Sequence, residues 1–167
     1  MTKDKEIRGV FSRYGLGDIP QKEDFWTQDQ FSQTAAATMA SFQLLEEVLR
    51  ATIGISYSFI KIRLRDQPVG YEFKRSDLKK SSLGQLVYIF RRLTNNKEIV
   101  KDLDGLLPLR NNVAHQAFIR GFDPKADHQE NIIEMIKLGK RVNSVMAELV
   151  QGMDEIRQAI EALSAKS

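Results

Sequence analysis

Nine positions near the C-terminus constrain this chain most. Met135, Gly139, Val142, Met146, Leu149, Met153, Ile156, Ile160 and Leu163 follow one another at alternating steps of four and three residues. At 3.6 residues per turn, such steps keep all nine on one stripe of a helix. A run of roughly 35 residues at about 1.5 Å each predicts a rod of about 50 Å. A second stripe lies upstream: Phe31, Ala35, Thr38, Phe42, Leu45, Leu49, Thr52, Ser56 and Phe59. It predicts another long helix, continuing to about Arg65. Two long apolar stripes must each bury themselves against other elements, and no stretch alternates like a strand between turn signals.

The intervening chain predicts two shorter helices. "RDQPVGYEFKRSD" breaks the first helix with Pro68 and Gly70. Ser76 or Ser81 can cap the next, which carries Leu83, Leu86, Val87, Phe90 and Leu93. "TNNKE" is a turn, with Asn95 or Asn96 as a cap, and Ile99, Leu103, Leu106 and Leu107 follow. Pro108 then calls for a kink or a fresh helical start. The expected fold is an all-α, antiparallel up-and-down bundle with two long and two shorter helices. Residues 1–24, rich in glycine and without lasting periodicity, are expected to be an irregular arm, and residues 25–167 a single helical domain. The long seam reads mainly as the core of one subunit. Any overhang would present apolar surface to a partner chain.

Composition narrows the chemistry. With 167 residues, 42% of them apolar, the chain can bury a core. It has no cysteine, which removes disulfides, thiolate catalysis and thiolate metal sites. No stretch of about 18 apolar residues occurs, and the first fifteen residues lack a signal-peptide core. A soluble, cytoplasmic protein is expected. The net charge of +3 is unevenly placed. Residues 61–92 hold nine basic side chains against three acids, a local +6, which leaves −3 elsewhere. Such an excess fits a polyanion partner, or simply a solvated surface. Lys79, Lys80, Arg91 and Arg92 are the candidate RNA-binding residues within it, and Tyr88 could line the same groove.

"LPLRNNVAHQAF", residues 107–118, is the one polar interruption that suits chemistry. Histidine can move protons near neutral pH, and arginine can grip a phosphate through two parallel hydrogen bonds. On a regular helix, Arg110 and His115 point about 140° apart. They converge only if the helix breaks between them or a second chain completes the site. Asn111 and Asn112 are residues that favour such a break. His115 has no carboxylate nearby in sequence until Asp123, so no metal cluster is expected, and no glycine-rich phosphate loop appears. His128, at the start of the last helix, reads as a surface or cap residue. Trp26 with Phe25 reads as a hydrophobic anchor.

Arg110-Asn111-Asn112-Val113-Ala114-His115 resembles the R-x-x-x-x-H motif of the HEPN superfamily, the higher eukaryotes and prokaryotes nucleotide-binding domains. The polar residue straight after the arginine is part of the likeness, as is its place between an apolar helix and a long one. The order of "KKSSLGQLVYIFRRL" and then "LLPLRNNVAH" is also similar to bacterial members. In architecture the resemblance covers about residues 30–160, and in specific residues only the six of the motif. It implies a HEPN-like helical bundle acting as a metal-independent endoribonuclease with no cofactor, leaving 2′,3′-cyclic phosphate and 5′-hydroxyl ends. Carried over, His115 is the general acid or base, Arg110 the phosphate clamp and Asn111 the orienting residue. The resemblance further implies a homodimer with two motifs facing one groove, a toxin or a defence or stress-response role, and an antitoxin or regulatory protein as a further partner. In members paired with a nucleotidyltransferase, a tyrosine stands two residues after the histidine. Here that residue is Ala117, so neither a modification tyrosine nor that partner is carried over. The alternative is a non-catalytic helical module that binds nucleotide, RNA or a protein, with Arg110 and His115 as a polar knot.

Overall fold

The structure, a computed structural model, describes residues 28–120 and 128–165. The expected N-terminal arm, Phe25 and Trp26 lie outside the described residues. Four α-helices and one 3-10 turn make up the described chain, and no strand occurs among those residues. They are α1 (Gln28–Arg63), the turn Arg75–Leu78, α2 (Leu83–Arg91), α3 (Lys97–Arg120) and α4 (Gln129–Ser164). The protein is an all-α helical bundle, and α1 and α4 are its two longest helices, at 36 residues each. None is long and apolar enough to cross a membrane, among the described residues.

The stripes predict the buried faces closely. In α1, every stripe residue from Phe31 to Ser56 is buried, and Phe59 is half-buried. In α4, the stripe is buried from Met135 to Met153, then half-buried at Ile156, Ile160 and Leu163. The polar members of the α1 stripe do not leave their hydroxyls unmet. Thr52 donates to the Val48 carbonyl at 2.8 Å and Ser56 to the Thr52 carbonyl at 2.8 Å. A hydroxyl that bonds back one turn can sit in a core without the cost of an unsatisfied donor.

The chain packs as two units, divided within α1, α3 and α4. Among the described residues, one joins residues 28–42 with 108–120 and 128–142. Its core is Phe31, Ala35, Val113, Ile132, Met135 and Ile136, with Ala117 packed against it. Thr38 crosses from α1 to α4 there, its hydroxyl 2.8 Å from the Thr34 carbonyl oxygen and 3.3 Å from that of Met135.

The other unit joins Gln43–Leu107 with residues 143–165. Leu45, Leu49, Ile53, Leu86, Leu103 and Leu106 are fully buried in it. Burying side chains of this size stabilises by about 1.5–3 kcal/mol each. Arg50 ties the segment before α2 to α1. Its Nε donates to the Leu78 carbonyl at 3.1 Å and its Nη2 to the Ser81 carbonyl at 3.0 Å, while Nη2 also reaches Glu46 and Nη1 reaches Glu47.

One helix cap differs from expectation. The cap of α2 is neither Ser76 nor Ser81. It is Ser82, whose Oγ accepts from Gln85 N–H while Gln85 Oε1 accepts from Ser82 N–H at 2.8 Å. Only Ser82 has a glutamine three residues on, which completes the reciprocal box. Asn96 is the cap of α3, accepting from the N–H groups of Glu98 and Ile99 at 3.2 Å each. Pro108 gives no fresh start, because α3 runs through it from Lys97 to Arg120. Proline has no N–H, so one rung of the helix ladder is missing there.

Candidate functional site

The motif lies on the last three turns of α3, in the first of the two units. Val113 is buried in the core cluster and Ala117 packs on it one turn later, which fixes the rotation of this segment. Arg110 therefore borders the core and is half-buried. Asn111 and His115 lie on the solvent side and are exposed, as is Asn112. Arg110 Nη1 donates to Asn111 Oδ1 at 3.4 Å, a long hydrogen bond. Asn111 and His115 are four residues apart, so their side chains project within about 40° of each other. Asn111 thus stands between the other two, bonded to Arg110 and one turn from His115.

A break between Arg110 and His115, one of the two ways they could converge, is absent. The backbone is helical throughout, so the two side chains keep their separation of about 140°. Asn111 and Asn112 prefer turns when nothing opposes them. Here the burial of Val113 and Ala117 on one helical face overrides that preference. One copy of the motif offers a proton carrier and an amide on one face, with the guanidinium around the side.

The candidate RNA-binding residues belong to the other unit. Lys79, Lys80 and Arg92 are exposed. Arg91 is also exposed, but its Nη2 lies 2.6 and 2.7 Å from the two carboxylate oxygens of Asp104. Its charge is largely answered by α3. Tyr88 is 60% exposed.

His128 differs from expectation. Its carbonyl accepts from Ile132 N–H at 2.9 Å, so its backbone does sit at the start of α4. Its side chain is not on the surface: it is buried and stacked on Phe31. Arg50 and Asp104 went unremarked in the sequence. Arg50 with Glu46 and Glu47 has the spacing of an ordinary surface ion pair, which conceals its grip on two backbone carbonyls.

Among the described residues, no group of three or more His, Asp or Glu side chains is placed to hold a metal ion. No protein-family model, no curated protein and no solved structure matches the chain.

Proposed function

We infer that the protein is a metal-independent endoribonuclease of HEPN type, working as a homodimer in a toxin or defence role in the cytoplasm. The observation that carries this reading is the Arg110–Asn111–His115 arrangement: two exposed polar residues one turn apart, with the arginine bonded to the nearer one. In the reaction, a base takes the proton of the RNA 2′-hydroxyl. That oxygen attacks the adjacent phosphorus, and the bond to the 5′-oxygen breaks. An acid returns a proton to the leaving oxygen. A 2′,3′-cyclic phosphate and a 5′-hydroxyl result. His115 of one chain serves as base and that of the second as acid. Arg110 offsets the charge that gathers on the phosphoryl oxygens, and Asn111 orients the site.

In this reading the unbroken helix favours a second chain. The guanidinium and imidazole of one chain diverge by about 140° on a regular helix, whereas two-fold pairing across this face would supply both from different copies. The same observation favours the second reading if the protein is a monomer. A helical module that binds RNA, nucleotide or a regulatory protein through this face needs no convergence.

The test combines light scattering with RNA digestion in EDTA. A dimer that cuts RNA, and a His115→Ala dimer that does not, support the nuclease. A monomer, or a dimer that cuts no RNA, leaves the binding module, and a His115→Ala protein that cuts as fast as the parent removes His115 from catalysis.

A further inference from the structure

The exposed face of α2 is hard to account for by folding alone. Leu83, Leu86, Val87 and Phe90 are all buried, so one side of this nine-residue helix carries its apolar contacts. At 100° per residue, the opposite side is centred on Gly84, Gln85, Tyr88 and Arg92. An aromatic side chain therefore stands near the pole of the polar face. Tyr88 is 60% exposed, and no hydrogen bond or ring contact engages it among the described residues.

Its surroundings leave the ring clear. Helical side chains lean toward the N-terminus, over the preceding turn. The residue one turn before Tyr88 is Gly84, and a β-carbon placed there would meet nothing within 4 Å. One turn after Tyr88 is Arg92, which is exposed and makes no ion pair among the described residues. Beyond the start of α2 lie Lys79 and Lys80, both exposed. Arg50 holds the backbone on each side of those lysines, through Leu78 and Ser81, so they are presented by a pinned turn. Along the chain the order is two cations, bare turn, aromatic, cation.

We propose that Tyr88 is a base-stacking residue, and that the α2 face with Lys79, Lys80 and Arg92 binds single-stranded RNA. Every base has a flat face, so an exposed ring takes any of them, while cations on each side take the backbone phosphates. A duplex keeps its bases stacked on one another and cannot use the ring. Arg91, committed to Asp104, contributes little. This inference rests on the RNA-directed reading above, and names the form of RNA that is held.

The test measures binding, without cleavage. The probe is a fluorescent 12-mer of 2′-O-methyl RNA, which has no 2′-hydroxyl to act as nucleophile. Binding of this probe is independent of whether His115 is catalytic, so failure here and failure of the nuclease reading are separate results. Tyr88→Ala is expected to weaken single-strand binding roughly tenfold, as loss of one stacked base does. Tyr88→Phe keeps the ring and retains affinity. A blunt duplex of the same sequence binds Tyr88→Ala and parent alike. Arg92→Ala lowers the slope of log affinity against log salt by about 0.7, the value for one phosphate contact on a single strand, while Arg91→Ala changes it less. Helicity and thermal midpoint stay put, because these side chains are on the surface. The proposal is overturned if the parent does not bind the strand, if Tyr88→Ala binds it as tightly as the parent, or if Phe and Ala lose affinity equally.

Discussion

The His128 imidazole lies against the Phe31 ring, with centroids 4.6 Å apart and planes 27° apart. Neither of its ring nitrogens has a hydrogen-bond partner among the described residues. The contact thus uses the ring as a flat filler, at the cost of desolvating two polar atoms. His128→Leu, close in volume, is expected to raise stability by about 1 kcal/mol, since an unmet buried polar atom costs about 1–3. Urea unfolding at neutral pH measures it. A lower midpoint would show that one nitrogen is satisfied after all.

Gly152 lies inside α4, and a β-carbon added to it would meet nothing within 4 Å. Glycine in a helix interior costs about 0.8–1.0 kcal/mol relative to alanine. Gly152→Ala is therefore expected to stabilise by about that amount, with an unchanged denaturant slope. A drop in the urea midpoint would mean that the open space at this turn is needed.

Arg50→Met keeps the aliphatic stem but strands the Ser81 carbonyl and leaves that of Leu78 with the Ser81 N–H alone. A loss of about 1–3 kcal/mol is expected, together with faster amide exchange over residues 78–82. Arg50→Lys should not restore the parent, because a single ammonium cannot replace a fork that reaches two carbonyls at once. Equal protection of those amides in parent and Met variant would count against the clamp.

Burial raises the Tyr71 hydroxyl pKa above its ordinary value of 10.0, and the nearby Tyr57 adds to the shift. The protonated, neutral form is the one favoured in the folded state. Stability from this group is complete below pH 10 and falls as the pH rises above it, because the unfolded chain ionises first. Tyr71→Phe should flatten that alkaline decline. An unaltered profile between about pH 9 and 11 would remove Tyr71 as its source.

His115 is exposed, so His115→Ala should change stability by less than about 0.5 kcal/mol. RNA cleavage should fall by roughly 10²–10⁴-fold if the imidazole moves a proton. Thermal unfolding and digestion of a labelled RNA, run on the same preparation, separate the two roles. A large loss of stability would make the residue structural.

The helical faces were legible because side-chain period and burial are tied by geometry alone. Phe31, Phe42, Leu49, Val142 and Leu149 could be placed in the core from spacing. The cap of α2 was missed by one residue among three serines, although Gln85 marked the right one. The run Arg110–Asn111–Asn112 left a break open for a different reason. Asparagine's local preference is weak beside the packing of Val113 and Ala117, whose partners Phe31 and Ile132 are far away in sequence. His128 was illegible in the same way: nothing next to it in the chain announces a ring from α1. Arg50 was hidden because backbone acceptors leave no trace in a sequence.

The hydroxyl of Thr38 meets the carbonyl of Met135 across 97 positions of chain. Phe31 and Ala35 likewise find Ile132 and Met135 only once the chain between has doubled back. Closing a loop of that length costs entropy before any contact repays it. Helical bundles often fold within microseconds because their contacts are local. This chain should be slower than that. The unit holding the motif has to wait for its two distant strands of sequence to meet, and substitutions at Thr38 or Met135 should show in the refolding rate as well as in the equilibrium.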